Sequence, residues 1–269
     1  MILIGKIKKI AILLLATAFF GSCEKVEEQK NNSDKVVIEG YLIANQKISI
    51  KVSKEIAYKS DDTTEQPIEG LQILLSNDDQ SETMIDNGSG EYTSSTLIAK
   101  ADQNYSILLD YKGTTVSAST TIPEKPVDFT ASAKSIYIEQ FNSGSSEPPS
   151  FPEPISLEWS NPDLRYYLVV LKNTETNPTP IFDTTVYDLN KVFRNKPSRT
   201  DNYELNTRNF NYYGNHYVIL FNLNPEYASL YEDNGSSSLN LTTPPSNING
   251  GLGIFTGINS DTLTVIAYN

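Results

Sequence analysis

From Lys35 onward the chain alternates: Ile48, Ile50 and Val52 stand between Lys47, Ser49, Lys51 and Ser53. A repeat of two puts one set of side chains on each face of an extended strand, which gives one buried face and one wet one. A surface helix needs apolar residues three and four apart, and residues 35–122 do not supply them. Further strands are expected at Val36 to Ala44, Leu71 to Ser76, Tyr92 to Leu97, Tyr105 to Tyr111 and Thr115 to Ile122. Asn77-Asp78-Asp79, Asp86-Asn87-Gly88-Ser89-Gly90 and Lys112-Gly113 punctuate them as turns.

Short strands at that spacing predict an all-β protein and, over residues 35–122, an antiparallel sandwich of immunoglobulin-like size. Pro123 and Pro126 then stiffen the chain and remove two amide donors, so a domain boundary is expected there, with a second antiparallel β-sandwich over 126–269. In that half Ser135 to Phe141 reads as a strand, and the Pro-rich stretch 142–154 as a loop. Ile155, Leu157 and Trp159 alternate with polar residues, Tyr166 to Leu171 forms a denser apolar run, and Tyr217, Ile219, Phe221 and Leu223 share a face. Thr262 to Tyr268 reads as the last strand, and 234–250 as loop. The Trp on an early strand followed by a Tyr-rich strand resembles a fibronectin type III core, which places Trp159 between sheets. Pro225 to Asp233 is the best helix candidate, with Pro in the first turn and Tyr227, Leu230 and Tyr231 on one side.

Counting restricts the chemistry. The 269 residues contain one Cys, one His, 21 Lys or Arg and 33 Asp or Glu. Cys-rich zinc sites and intramolecular disulfides are excluded. A net charge of −12 argues against nucleic acid, because affinity for a polyanion grows with the cations that neutralise phosphate. No cofactor is expected. His216 opens a strand with no carboxylate or nucleophile placed beside it, so it reads as a structural or exposed residue.

The lone Cys has a particular address. Residues 1–22 combine Lys6, Lys8 and Lys9, an apolar run from Ile10 to Phe20, then Gly21 and Ser22. They read as a lipoprotein signal peptide, too short in its apolar part to span a bilayer. Small residues immediately before Cys23 form a lipobox, so Cys23 is the expected lipid attachment point, tying the protein to outer-membrane lipid. Cleavage would remove three Lys and no acid, taking the net charge from −12 to −15. Residues 23–34 follow as a flexible tether. The acids Glu24, Glu27 and Glu28 fit a solvated tether equally with the signal that, by resemblance, sends Bacteroidetes lipoproteins to the cell surface.

The opening KVVIEGYLIANQKISIKVS (35–53), GEYTS (90–94) and PSNINGGLGIFTG (245–257) together resemble the Bacteroidetes outer-membrane lipoproteins grouped as domain of unknown function 4249. The Asn-x-x-Gly-Gly-x-Gly-x-Phe run carries most of the resemblance. It implies an outer-membrane lipoprotein, with periplasmic and extracellular faces both open, often encoded near TonB-dependent barrel transporters. It brings no catalytic residues. On the residues themselves, Gly250, Gly251 and Gly253 read as close backbone approach or positive φ before Ile254 and Phe255 enter a core.

Two other features suggest sites. Lys191, Arg194, Lys196, Arg199 and Arg208 face only Asp201 and Glu204 over 191–208, with Tyr203, Phe210, Tyr212 and Tyr213 beside them. Arg and Tyr anchor interfaces, so Lys191, Arg194, Arg199, Arg208, Tyr212 and Tyr213 form a candidate docking surface for a partner or for a glycan or peptide ligand. A solvated insertion between strands explains the same residues. Thr63 and Thr184 follow Asp in a short pattern resembling Bacteroidetes O-glycosylation acceptors. The expected function is a lipid-anchored, non-enzymatic binding or accessory protein beside a TonB-dependent transporter in nutrient uptake. A surface adhesin or matrix component and a carboxylate-based glycosidase remain the alternatives.

Overall fold

A computed structural model describes residues 34–56, 64–140, 152–182, 189–232 and 245–269. The signal peptide, Cys23, nearly all of the tether, Thr63 and Thr184 lie outside these residues. In chain order the strands are β1 (Val36–Ile43), β2 (Lys47–Lys54), β3 (Leu74–Asn77), β4 (Ser81–Thr83), β5 (Ile85–Asp86), β6 (Glu91–Ile98), β7 (Asn104–Tyr111) and β8 (Thr114–Thr121). The second half continues with β9 (Val127–Ala131), β10 (Ser135–Tyr137), β11 (Ile155–Ser160), β12 (Tyr166–Asn173), β13 (Val192–Arg194), β14 (Asn202–Leu205), β15 (Gly214–Leu223) and β16 (Leu252–Tyr268). One helical turn, α1 (Pro225–Ala228), runs on into a 3₁₀ turn at Ser229–Tyr231. Extended Asn224 before Pro225 starts α1 where the sequence expects a helix.

Among the described residues these strands form three sheets. The largest has the order β13-β12-β15-β16-β1-β2-β6-β5, with β10 also paired to β16. A sheet β4-β3-β7-β8 covers it in the first half and β14-β11-β9 covers it in the second. The fold is all-β and mostly antiparallel, while β16 runs parallel to β1 and to β10. Alternation sets the burial: Val36, Ile38, Leu42, Ile48, Ile50 and Val52 meet Leu75, Ile107, Leu109 and Val116 from the covering sheet in one core. Leu157, Trp159, Val169, Leu171, Val218, Leu220 and Val265 build a second core. Trp159 is buried there between Phe129 and Tyr167, at centroid distances of 6.4 and 5.5 Å.

The two cores lie on either side of Pro123 and Pro126, but the sheet is continuous across them. β16 is 17 residues long; Leu252 to Ile258 pair with β1, and Ile258 to Ala267 pair with β15. Asp34–Asn269 is accordingly one compact unit. Asparagine side chains satisfy the carbonyls of the stiff connection: Asn224 Nδ2 donates to the Thr121 carbonyl at 2.7 Å, Asn259 to Pro123 at 2.9 Å and Asn222 to Glu124 at 2.9 Å. Backbone that lacks ladder partners is thereby paired from the side.

The Gly-rich run is part of this seam. Asn247 Oδ1 accepts from the Phe255 amide at 2.9 Å, and its Nδ2 donates to the Phe255 carbonyl at 2.7 Å. The side chain thus acts as a strand partner that sets Phe255 into the first core, where it is fully buried. Gly40 lies opposite Phe255; a Cβ there would come within 2.7 Å of the Phe255 ring, so the missing side chain makes room for the aromatic.

Glu82 fastens the two sheets of the first half at their edge. From β4 its carboxylate accepts the amides of Ser95 and Thr96 at 2.8 and 3.0 Å and their hydroxyls at 2.7 and 2.6 Å, all from β6. Desolvation opposes the charge, but the hydroxyls of Thr96 and Ser95 and the amides of Thr96 and Leu97 outweigh it and lower the pKa from 4.5 to about 2. A folded-state pKa below the unfolded one gives stability that is present above pH 4.5 and lost as pH falls towards 2. Glu82→Gln is therefore expected to cost about 1–2 kcal/mol at pH 7, discounted for partial solvent access. Denaturant titrations at pH 7 and at pH 2.5 check this, since the gap between variant and wild type should shrink at the lower pH.

Candidate functional site

The second face of the large sheet is apolar where the two halves meet. In β12, Tyr167, Val169 and Leu171 point into the second core, so Tyr166, Leu168 and Val170 emerge on the opposite face. The same alternation in β15 sends Val218 and Leu220 inward and Ile219, Phe221 and Leu223 outward. Register aligns these outer residues. Arg194 lies opposite Val170 and Val170 opposite Ile219, Leu168 opposite Phe221, and Leu223 opposite Ile258. Leu168, Leu223 and Ile258 are buried, with Tyr166, Val170, Phe221 and Tyr227 packed on them.

α1 supplies a wall above this strip. Glu226 Oε1 accepts the hydroxyls of Thr120 at 2.9 Å and Thr256 at 3.1 Å, which pins the helical turn at the seam and turns the next residue, Tyr227, over the sheet. The Tyr227 ring meets Tyr41 of β1 edge-on at 6.0 Å and Tyr231 at 5.8 Å. Together these side chains enclose a cleft of about 310 Å³, with Arg194 the only charged lining residue among the described residues. Burial, then the Tyr231 hydroxyl, raise the Tyr227 phenol above its ordinary pKa, so Tyr227 stays protonated at neutral pH. Arg199 reaches the same face: its guanidinium lies 4.3 Å from the centre of the Tyr166 ring and donates to the Tyr166 hydroxyl at 2.9 Å.

The residues of the basic, aromatic stretch therefore do not form one surface. Arg194 and Arg199 lie on the outer face with the cleft. Lys191 Nζ donates to the carbonyls of Glu175 and Thr176, both at 3.1 Å. Arg208 is exposed on a 3₁₀ turn at Thr207–Asn209. Tyr212 donates to the Leu189 carbonyl at 3.1 Å, and Tyr213, packed against the second core, donates to Ile138 at 2.8 Å. Lys191, Tyr212 and Tyr213 serve as local struts. Tyr41, Phe221 and Tyr227 line the cleft without having been singled out as a site; the signal in the sequence was the pair of strands that are apolar on both faces.

The remaining candidates have local tasks. Asn77 accepts the amides of Asp79 and Gln80, and Asp86 accepts those of Gly88 and Gly70, so these loops are capped turns. Among the described residues no group of three His, Cys, Asp or Glu is placed to hold a metal ion. His216 is buried; Asn173 Nδ2 lies 3.2 Å from its Nε2, and its Nδ1 lies 3.0 Å from the Gly214 carbonyl. An amide donor at Nε2 requires the proton on Nδ1, and burial lowers the pKa of the ring, so His216 is a neutral core residue.

The description Domain of unknown function (DUF4249) matches residues 24–264. The chain belongs to the DUF4249 family. No curated protein matches it. Among solved structures, the DUF4249 chain is similar to titin domains A168–A170 at 10% identity and a TM-score of 0.21, over 87% of this chain and 67% of that one. Among its described residues no helix is long and apolar enough to cross a membrane.

Proposed function

We propose that this DUF4249 chain is a non-catalytic binding or accessory protein, held on the outer membrane by acyl chains on Cys23 and acting beside a TonB-dependent barrel transporter. The observation that carries the binding role is the cleft at the seam: an apolar floor from three strands, a tyrosine wall and a guanidinium. Pockets of this kind are mostly apolar, with a few polar groups that fix orientation. The anchor rests on the lipobox, and the transporter on the family resemblance. A tethered module raises the local concentration of what it binds without high intrinsic affinity.

The anchor has an all-or-none test. Each buried methylene contributes about 0.8 kcal/mol, and two acyl chains suffice for stable attachment. Cys23→Ser should move the protein from the membrane to the soluble fraction and abolish incorporation of labelled palmitate. Retention in the membrane with unchanged labelling would overturn the anchor. Crosslinking in intact outer membranes followed by pull-down should recover a barrel protein with the wild-type chain; consistent recovery of the chain alone would overturn the accessory role.

A further inference from the structure

The chemistry of the cleft narrows what it can hold. Its floor is a strip of Leu168, Val170, Phe221, Leu223 and Ile258 on β12, β15 and β16, flanked by Arg194 of β13 and Tyr41 of β1. Two strand spacings make that strip about 10 Å across, and the row continues onto Ile219 beside Val170. A strip of four aliphatic side chains and one phenylalanine suits a flexible hydrocarbon chain lying along it. At the β13 end stands Arg194, and no ion pair joins it to a carboxylate among the described residues. At the other end the charge that acts on Tyr41 is that of Glu39. Arg194, whose charge also reaches the Tyr227 phenol, is therefore the point of the lining where an anion is favoured. A guanidinium meets a carboxylate through two parallel hydrogen bonds, and Arg199 on Tyr166 adds positive charge to the same face.

We propose that the cleft binds an aliphatic carboxylate, its chain on the strip between β12 and β16 and its carboxylate on Arg194. The inference rests on the reading of the chain as a binding protein. It adds a ligand class and a polarity: head group at β13, tail towards Tyr41 and Tyr227. Tyr227 closes over the chain, and the phenol of Tyr41 marks its far end.

The test uses the full chain carrying Cys23→Ser, so that no acyl chain of its own competes. Isothermal titration with decanoate should show saturable binding to one site. Decyltrimethylammonium, with the same chain and the opposite charge, should bind at least tenfold more weakly. Arg194→Gln, on an exposed edge strand, should weaken decanoate at least tenfold while leaving the melting temperature unchanged, and Arg194→Lys should recover part of the loss. Val170→Asp, which sets a carboxylate on the floor, should abolish binding. Absence of saturable decanoate binding, equal affinity for the ammonium, or indifference to Arg194→Gln would each overturn the proposal. A wild-type chain that crosslinks to a barrel but ignores decanoate would refute the ligand class alone. A chain that binds decanoate but recovers no barrel would refute only the accessory role.

Discussion

Gly253→Ala is expected to cost about 3–5 kcal/mol, because it combines a strained backbone with a collision that neither side can relieve. Gly253 has φ +105°, a conformation that L side chains rarely adopt. A Cβ there would penetrate the van der Waals shell of the Ile38 carbonyl oxygen and lie 2.9 Å from the Ile38 nitrogen. Ile38 is the residue opposite Gly253 in the parallel ladder, and its side chain is fully buried in the first core, so β1 cannot step back. β16 cannot step back either: two residues on, Phe255 is held by both hydrogen bonds of Asn247. Urea denaturation of the full chain measures the loss. A cost under about 1 kcal/mol, the size of an ordinary surface change, would show that β16 is free to slide on β1 and that the glycine is not a packing requirement.

The same strand explains where sequence reading stops. Thr262 to Tyr268 read as a strand because it alternates, and its first ten residues did not, because glycines at Gly253 and Gly257 mimic a loop. Their purpose, to let other backbone come close, depends on distant segments: β1, more than 200 residues earlier, at Gly253, and the end of β8 at Thr121 for Gly257. Trp159 was legible as core since its own strand alternates. The cleft was half legible. Tyr166 to Leu171 and the row Tyr217, Ile219, Phe221, Leu223 announced apolar strand faces, yet nothing local says which face meets the covering sheet. Its other parts come from Tyr41 in the first half and Tyr227 on α1, which only the shared sheet brings together. The basic stretch at 191–208 was legible only as a composition. Composition grouped its cations, whereas the structure keeps Arg194 and Arg199 on the outer face of the large sheet, turns Lys191 onto the Glu175 and Thr176 carbonyls and puts Arg208 on a 3₁₀ turn beyond β14.

Phe255→Ala should destabilise the protein by about 3–5 kcal/mol, as truncation of a fully buried aromatic does; the ring fills the space over Gly40, and no neighbouring side chain stands ready to replace it. How the loss is distributed matters more than its size. Phe255 lies in the first core, whereas the only Trp in the chain, Trp159, lies in the second, so its fluorescence reports on a half that the substitution does not touch. If residues 35–122 and 126–269 unfolded separately, Phe255→Ala would split the transition, and the Trp159 signal would keep its wild-type midpoint. A 17-residue strand that belongs to both cores, together with Asn222, Asn224 and Asn259 binding the connection from the second half, makes the loss of one core a loss for the other. Fluorescence and far-ultraviolet circular dichroism should therefore move to the same lower urea midpoint, the signature of a single cooperative transition. An unmoved Trp159 midpoint beside a shifted dichroism curve would mean that the seam transmits no stability and that the cleft across it opens as the first half unfolds. A joint shift would mean that the floor of the cleft persists until the whole fold is lost.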